Sequence, residues 1–322
     1  MKRILNMIFS CFFIVVLLVA GGYSIYYFSK PNRVNKVVTT IFPVYDITRE
    51  IMGSSDNLLL LEDNGVDIHS YSPTAKDITA ISKCELFIYV GGESDNWVDD
   101  VLLSSKNKQL KKVELLEEIE KLEETEEGIV ENLHEDEDHE EKEFDEHIWL
   151  SVKNAIVMTD KIKESLCQVF PEKAEIFEKN ATKYKEKLVE LEGEYNSVCS
   201  NKTDTIIVAD RFPFLYLTHD YNIKYYACFS GCSTDTQASV KTISTLIEKI
   251  NECDVDNVLV LETSDKTLAN SIISDSRCKS GVGIEVLNSC QAVNTKSSSI
   301  SYLELMKNNL EVLKKVLKKW VY

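Results

Sequence analysis

Residues 171–199, PEKAEIFEKNATKYKEKLVELEGEYNSVC, decide the architecture. Phe177, Ala181, Tyr184, Leu188, Leu191, Tyr195 and Val198 recur at steps of three and four, which puts them in one stripe along a single helix. Pro171 fits the first turn, where its missing N–H costs nothing. At a rise of ~1.5 Å per residue the helix is roughly 40 Å long, enough to run along a two-lobed molecule. An apolar stripe at this spacing is core packing.

Strand and helix patterns alternate on both sides of it. On the N-terminal side, strands are expected at 37–41, 57–61, 86–90 and 109–115. Between them lie helices at 43–52, ended by Gly53, at 73–82, opened by Pro73, and from near Ser94 through Trp97. On the C-terminal side, strands at 205–209, 224–229, 258–261 and 284–287 alternate with helices at 214–221, 239–251, 266–274 and 302–320. Such alternation implies parallel sheets. The expectation is an α/β chain of two lobes, each a mainly parallel four-stranded sheet flanked by helices, joined by one long helix. The bounds are 36–170 for the N-terminal lobe with an acidic loop at 114–146, 171–200 for the connecting helix, and 204–322 for the C-terminal lobe.

Ahead of these lobes, Lys2 and Arg3 precede an apolar, uncharged run over 4–28. About 25 residues exceed the ~20 needed to span a bilayer. Residues 1–29 read as a signal anchor, with a cleaved signal peptide as the alternative. The rest of the chain then lies outside the cytoplasm, although Lys30, Arg33 and Lys36 blur the charge asymmetry that sets orientation. A lipoprotein cleavage site is absent: Val19-Ala20-Gly21-Gly22 is followed by Tyr23, and Cys11 lies too early. The nine cysteines lack the regular spacing of a disulfide scaffold, and a domain this long can bury a core without staples. Cys228 and Cys232 form the pair closest to a bridge in spacing.

Charge is concentrated in one place. Of 53 acidic and 36 basic residues, 18 and two lie between Glu114 and Glu146, leaving 35 against 34 elsewhere. The net charge of −17 is therefore local. The bulk of such a run is expected to be solvated. His134 and His139 within it, and His147 just after it, add imidazole to carboxylate, a ligand set suited to borderline divalent metals.

In open parallel sheets ligands bind beyond the carboxyl ends of the strands. That rule selects His69 after the 57–61 strand, His147 after the acidic run, Asp210 and Arg211 after 205–209, Glu262 after 258–261 and Asn288 after 284–287. Cys290 and Gln291 lie near enough to Asn288 to be weighed, whereas Trp149 and Tyr302 read as structural. The chain has no Gly-rich phosphate loop, no GxSxG elbow and no His-Glu-x-x-His helix. Nor does it carry a basic patch suited to nucleic acid.

The stretch 65–77 with His69, Tyr71, Pro73 and Asp77, the segment Asp145-Glu146-His147-Ile148-Trp149-Leu150-Ser151, the Pro171 helix and Ser301-Tyr302-Leu303 together resemble the zinc/manganese-type solute-binding proteins of ABC transporters. The likeness runs from about residue 36 onward. It implies a monomeric extracytoplasmic receptor that captures Zn²⁺, or alternatively Mn²⁺, between its lobes and delivers it to a permease and its ATPase. His69 and His147 match the first two metal ligands of the family. The third falls at Arg211, with Asp210 beside it, and the fourth at Asn288; an arginine cannot ligate a metal, and an amide is a weaker ligand than a carboxylate. Three arrangements stay open. Asp210 replaces the third ligand while Arg211 pairs with Glu262, or the acidic run supplies His134, His139 or a carboxylate, or tight binding is lost. The alternatives in function are a metal-free or weakly binding adhesin or scaffold with the same fold and a zinc hydrolase with Glu146 as general base.

Overall fold

The computed structural model describes residues 36–63, 65, 68–125, 127–130, 143–199, 205–233, 238–296 and 298–317. The apolar run at 4–28, and with it the anchor reading, lies outside them. Among the described residues no helix is long and apolar enough to cross a membrane.

Two four-stranded sheets carry the fold. In the first, β1 (Val37–Thr39), β2 (Leu58–Leu60), β3 (Leu86–Tyr89) and β4 (Lys111–Glu114) are ordered β2-β1-β3-β4, every pairing parallel. In the second, β5 (Thr205–Phe212), β6 (Lys224–Ser230), β7 (Asn257–Leu261) and β8 (Gly283–Leu287) repeat that order as β6-β5-β7-β8, again all parallel. Helices flank both sheets, so the central strands read as continuous apolar runs such as the fully buried Leu86–Tyr89. Each sheet reverses its strand order once, between β1 and β3 and between β5 and β7, and such a reversal opens a crevice at the strand ends.

Around the first sheet lie α1 (Phe42–Met52), α2 (Ala75–Lys83), α3 (Trp97–Ser104) and α4 (Val152–Val169). Helix α2 begins at Ala75 rather than at Pro73, because Thr74 and Asp77 form a reciprocal capping box that fixes the first turn two residues later. Helix α4 carries no strong start signal except Ser151, whose hydroxyl accepts the Asn154 N–H at 3.0 Å, and periodicity alone did not single it out.

The long helix is α5 (Ala174–Cys199), entered through a 3₁₀ turn at Pro171–Lys173. Phe177, Ala181, Tyr184, Leu188, Leu191 and Tyr195 are buried as their spacing requires; the stripe closes on Cys199, with Val198 half-buried beside it. It packs against α1, α4 and α9 (Tyr302–Val316), and Tyr195 Oη donates to Met306 O at 2.7 Å. At ~1.5–3 kcal/mol for each large side chain removed from water, this stripe is a main source of cohesion between the lobes. The remaining helices, α6 (Leu215–Tyr221), α7 (Val240–Glu252) and α8 (Thr267–Ser274), cover the second sheet.

Polar ties fix the lobes across the cleft. Asp63 Oδ1 accepts the N–H and hydroxyl of Thr295 at 2.8 and 2.7 Å, and Trp149 Nε1 donates to Ser289 O at 2.8 Å. Tyr302 Oη donates to Trp149 O at 2.5 Å, which accounts for both aromatics as structural groups. None of the described cysteines, Cys228 and Cys232 included, forms a disulfide with another described residue.

The two flanks of the acidic run are folded. Glu123 pairs with Phe144 in an antiparallel bridge, and Glu124 N–H donates to Glu143 O at 2.8 Å, closing a stem. Ile129 then bridges to Ala227 of β6, with Val130 N–H on Ala227 O and Ala227 N–H on Gly128 O, each at 2.9 Å. Ile129 and Val130 are buried there. The solvated run read from charge alone thus fails for its ends, where Leu115, Leu116, Ile119, Ile129 and Val130 supply enough apolar surface to offset ordering. His134 and His139 lie outside the described residues.

Candidate metal centre

His69 sits on a 3₁₀ turn, Ile68–Ser70, pinned by the buried Ile68. His147 is the residue before the 3₁₀ turn Ile148–Leu150, all three of whose side chains are buried. These two short anchored turns bring the imidazoles to 5.4 Å between ring centroids. Trp149 packs in a tilted contact against His147 at 5.2 Å between ring centroids.

Ser94, after β3, organises the space between them. Its hydroxyl lies 2.9 Å from His69 Nδ1 and also donates to Glu146 Oε1, while its N–H donates to Glu146 Oε2 at 2.9 Å. Gly92 makes room for this carboxylate: at φ +83° it adopts a left-handed backbone, and a Cβ there would stand 2.6 Å from Glu146 Oε2. Cys232 closes the group from the loop after β6. One nitrogen each of His69 and His147, one Glu146 oxygen and the Cys232 sulfur all lie within 4.8 Å of one another. A tetrahedral zinc shell with bonds of ~2.0–2.3 Å has ligand edges of about 3.5 Å, so this arrangement needs only small side-chain movements to close on an ion.

The electrostatics suit a cation. His147 is wholly buried, and neither ring nitrogen has a hydrogen-bond partner among the described residues. Asp145 Oδ1, 3.4 Å from Nδ1, is an electrostatic neighbour that is occupied with the His147 N–H at 2.8 Å. Burial opposes protonation of His147, but Asp145, Glu146 and Glu124 outweigh it and raise its pKa. Burial raises the Glu146 carboxyl in spite of His147 and Ser94. The Cys232 thiol is pushed far up, by burial first and then by Glu146, Glu124 and Asp145. Glu124, from the acidic stem, is raised by burial and hydrogen-bonds to Cys232. Anionic groups crowded into a dry pocket are costly until a dication neutralises them.

The strand ends of the second sheet are occupied otherwise. Asp210 Oδ1 accepts Arg211 N–H at 2.9 Å and Oδ2 accepts Leu261 N–H at 3.2 Å, tying β5 to β7. Glu262 takes the N–H and hydroxyl of Ser289 at 2.8 and 2.7 Å. Asn288 Oδ1 accepts Cys290 N–H at 2.7 Å, and its backbone is held by Asn309. None of the three belongs to the group around His69 and His147. Cys290 is buried against Met306. Arg211 directs Nη1 to Ser233 O at 3.5 Å, in the loop that carries Cys232, rather than to Glu262.

Sequence reasoning missed Ser94 and Cys232 as site residues; it allowed the acidic run to supply a carboxylate without singling out Glu124, and named Glu146 individually only as a base. Cys232 follows the end of β6, so the strand-end rule applied to that loop would have found it, with Gly231 as the local signal. A Cβ on Gly231 would stand 3.0 Å from His147 Cε1 and 3.0 Å from Phe212 O, so a side chain here would crowd the ring and glycine eases the loop's close approach.

Two α/β lobes, a long connecting helix and a cluster of groups that could hold a metal ion are the architecture of a two-lobed binding protein. The profile of the family described as zinc-uptake complex component A, periplasmic (ZnuA), matches residues 37–316, and the chain belongs to that family of binding proteins, which are not enzymes. It is 32% identical over 280 residues to the zinc-binding lipoprotein AdcA of Streptococcus pneumoniae, covering 86% of this chain and 55% of that protein. It is 28% identical over 288 residues to the high-affinity zinc uptake system protein ZnuA of Bacillus subtilis, covering 89% and 88%. The chain spans about half the length of the AdcA relatives it matches. The Zn(II)-bound ZnuA-like domain of S. pneumoniae AdcA superposes with a TM-score of 0.70 at 29% identity, over 88% of this chain and 98% of that domain. A laminin-binding adhesin of Streptococcus agalactiae shares the fold, with a TM-score of 0.72 at 22% identity, 88% of this chain and 99% of that one.

Proposed function

We propose that this chain is the extracytoplasmic receptor of an ABC importer, capturing Zn²⁺ between its lobes and presenting it to a permease driven by an ATPase. The observation that carries the reading is the convergence of His69, His147 and Glu146, each offering one ligand atom, with Nε2 of the wholly buried His147 making no hydrogen bond among the described residues. Two imidazoles favour zinc over manganese, which prefers oxygen. Asp210, Glu262 and Asn288 serve this function as the scaffold that holds the C-terminal strand ends. Family membership supports the location outside the cytoplasm, and the apolar segment 4–28 is the proposed tether.

His134 and His139 are proposed as a forward collector. They sit amid carboxylates that attract dications and pass them along the stem toward Glu124 and Glu146. Uptake of radioactive zinc into zinc-starved cells tests the proposal. Cells lacking the chain should accumulate zinc several-fold more slowly, and the wild-type chain, but not a His147→Ala variant, should restore the rate. Equal uptake with and without the chain refutes it.

A further inference from the structure

In the resemblance to metal receptors the third ligand position falls at Arg211, which cannot bind a metal. The structure shows what stands in its place. The Cys232 sulfur lies within 4.8 Å of the ligand atoms of His69, Glu146 and His147, in the loop after β6 rather than the one after β5. Arg211 reaches into that same loop, its Nη1 donating to the carbonyl of Ser233, the residue after Cys232. Gly231, the residue before it, lies tightly against the His147 ring, where an added Cβ would stand 3.0 Å from Cε1. The loop is thus held on both sides of the cysteine.

Building on the zinc-receptor reading, we propose that Cys232 is the third protein anchor of the site, a thiolate ligand that makes the receptor select thiophilic cations (Zn²⁺, Co²⁺, Cd²⁺) over Mn²⁺, with Arg211 recast as the residue that positions its loop. The cysteine does not stand alone, because the wholly buried His147, whose Nε2 has no hydrogen-bond partner among the described residues, offers one ring nitrogen to the same group.

Charge balance supports the set. A dication held by two neutral imidazoles, one carboxylate and one thiolate leaves a shell of zero net charge, the least costly state for a desolvated site. On binding, the S–H bond of Cys232 breaks, its proton passes to solvent, and the sulfur lone pair forms the metal bond; no electrons are transferred. Thiolate is a soft ligand that stabilises zinc far more than manganese, whereas a third histidine or carboxylate would narrow that gap.

The test is cobalt(II) loading of the purified full-length chain under reducing conditions, followed by absorption spectroscopy. The inference expects one Co²⁺ per chain, with intense visible bands of a tetrahedral ion and a near-ultraviolet thiolate-to-cobalt charge-transfer band. Cys232→Ser should lose the charge-transfer band, retain visible absorption and bind zinc about a hundredfold more weakly. In the unmutated protein, zinc should protect Cys232 from alkylation, read peptide by peptide, without protecting the half-buried Cys167, Cys253 or Cys278. Stoichiometric cobalt without charge transfer, or alkylation of Cys232 undiminished by bound zinc, overturns the thiolate ligand and leaves the receptor reading in place. Absence of any cobalt or zinc binding overturns both.

Discussion

The backbone N–H of Ser94 donates to Glu146 Oε2 at 2.9 Å, and its hydroxyl touches both Glu146 and His69. One residue in the 3₁₀ turn Glu93–Asp95 that follows β3 therefore orients two groups that arrive from different loops. Outer partners of this kind typically contribute ten- to a hundredfold in metal affinity. Ser94→Ala should weaken zinc binding by about tenfold or more in a calorimetric titration, while the thermal midpoint of the metal-free protein changes little. The backbone donor survives the substitution, so the loss stays below that of removing a ligand.

Gly231→Ala forces a methyl group against His147 Cε1 and Phe212 O, both 3.0 Å from the new carbon. Phe212 O belongs to β5 and cannot retreat, so the loop or the imidazole must give. The expected result is a drop in zinc affinity of about tenfold and a stability cost of ~1–2 kcal/mol by denaturant titration. Unchanged affinity would show that the loop after β6 moves independently of His147.

Zinc binding should strengthen as pH rises. In the metal-free protein the pKa of His147 is raised above 6.5, that of Glu146 above 4.5 and that of Cys232 above 9.0, so protons hold these groups more tightly than in a free side chain. Zinc must displace those protons, and affinity therefore falls as pH falls and continues to climb above pH 6.5. Release of about one to two protons per zinc is expected, measured by calorimetry in buffers of different ionisation enthalpy. For the metal-free fold the sign is opposite at His147. A raised imidazole pKa contributes stability that is fully present below the unfolded value and lost as pH rises through the folded one.

Asp46 joins the ends of the described chain. It is buried, accepts Tyr302 N–H at 2.8 Å and pairs with Arg49 at 2.6 Å. Asp46→Ala leaves the first backbone donor of α9 unsatisfied and Arg49 with Glu50, 3.2 Å from its Nη2, as its remaining carboxylate partner. Arg49 is partly exposed and finds water, so the cost should be about 2–3 kcal/mol in chemical denaturation. Zinc affinity per folded molecule should hold, because Asp46 lies outside the metal-ligating group.

The strands and the long helix were legible because burial on both faces demands unbroken apolar runs and a three-four stripe demands a helix, as at Leu86–Tyr89 and from Phe177 to Tyr195. His69 and His147 could be picked as a candidate pair from their distinctive flanking residues, and the fold brings their rings to 5.4 Å. Cys232 could not be picked, since a cysteine among nine gives no sign of its surroundings until the loop after β6 is placed against His147. Asp210, Glu262 and Asn288 carry the right chemistry at the right strand ends, yet nearby N–H and O–H donors satisfy each of them locally. Charge density misled at the ends of the acidic run, where Ile129 and Val130 dock on β6 against the trend of their neighbours.

The central claim is that His147 and its neighbours form a tight zinc site. Calorimetric titration of the purified full-length chain with zinc, beside His147→Ala, addresses it most directly. The account predicts one zinc per wild-type chain with a Kd well below micromolar, and a loss of about a hundredfold or more in the variant. Wild-type binding no tighter than micromolar, or undiminished binding by His147→Ala, would contradict it.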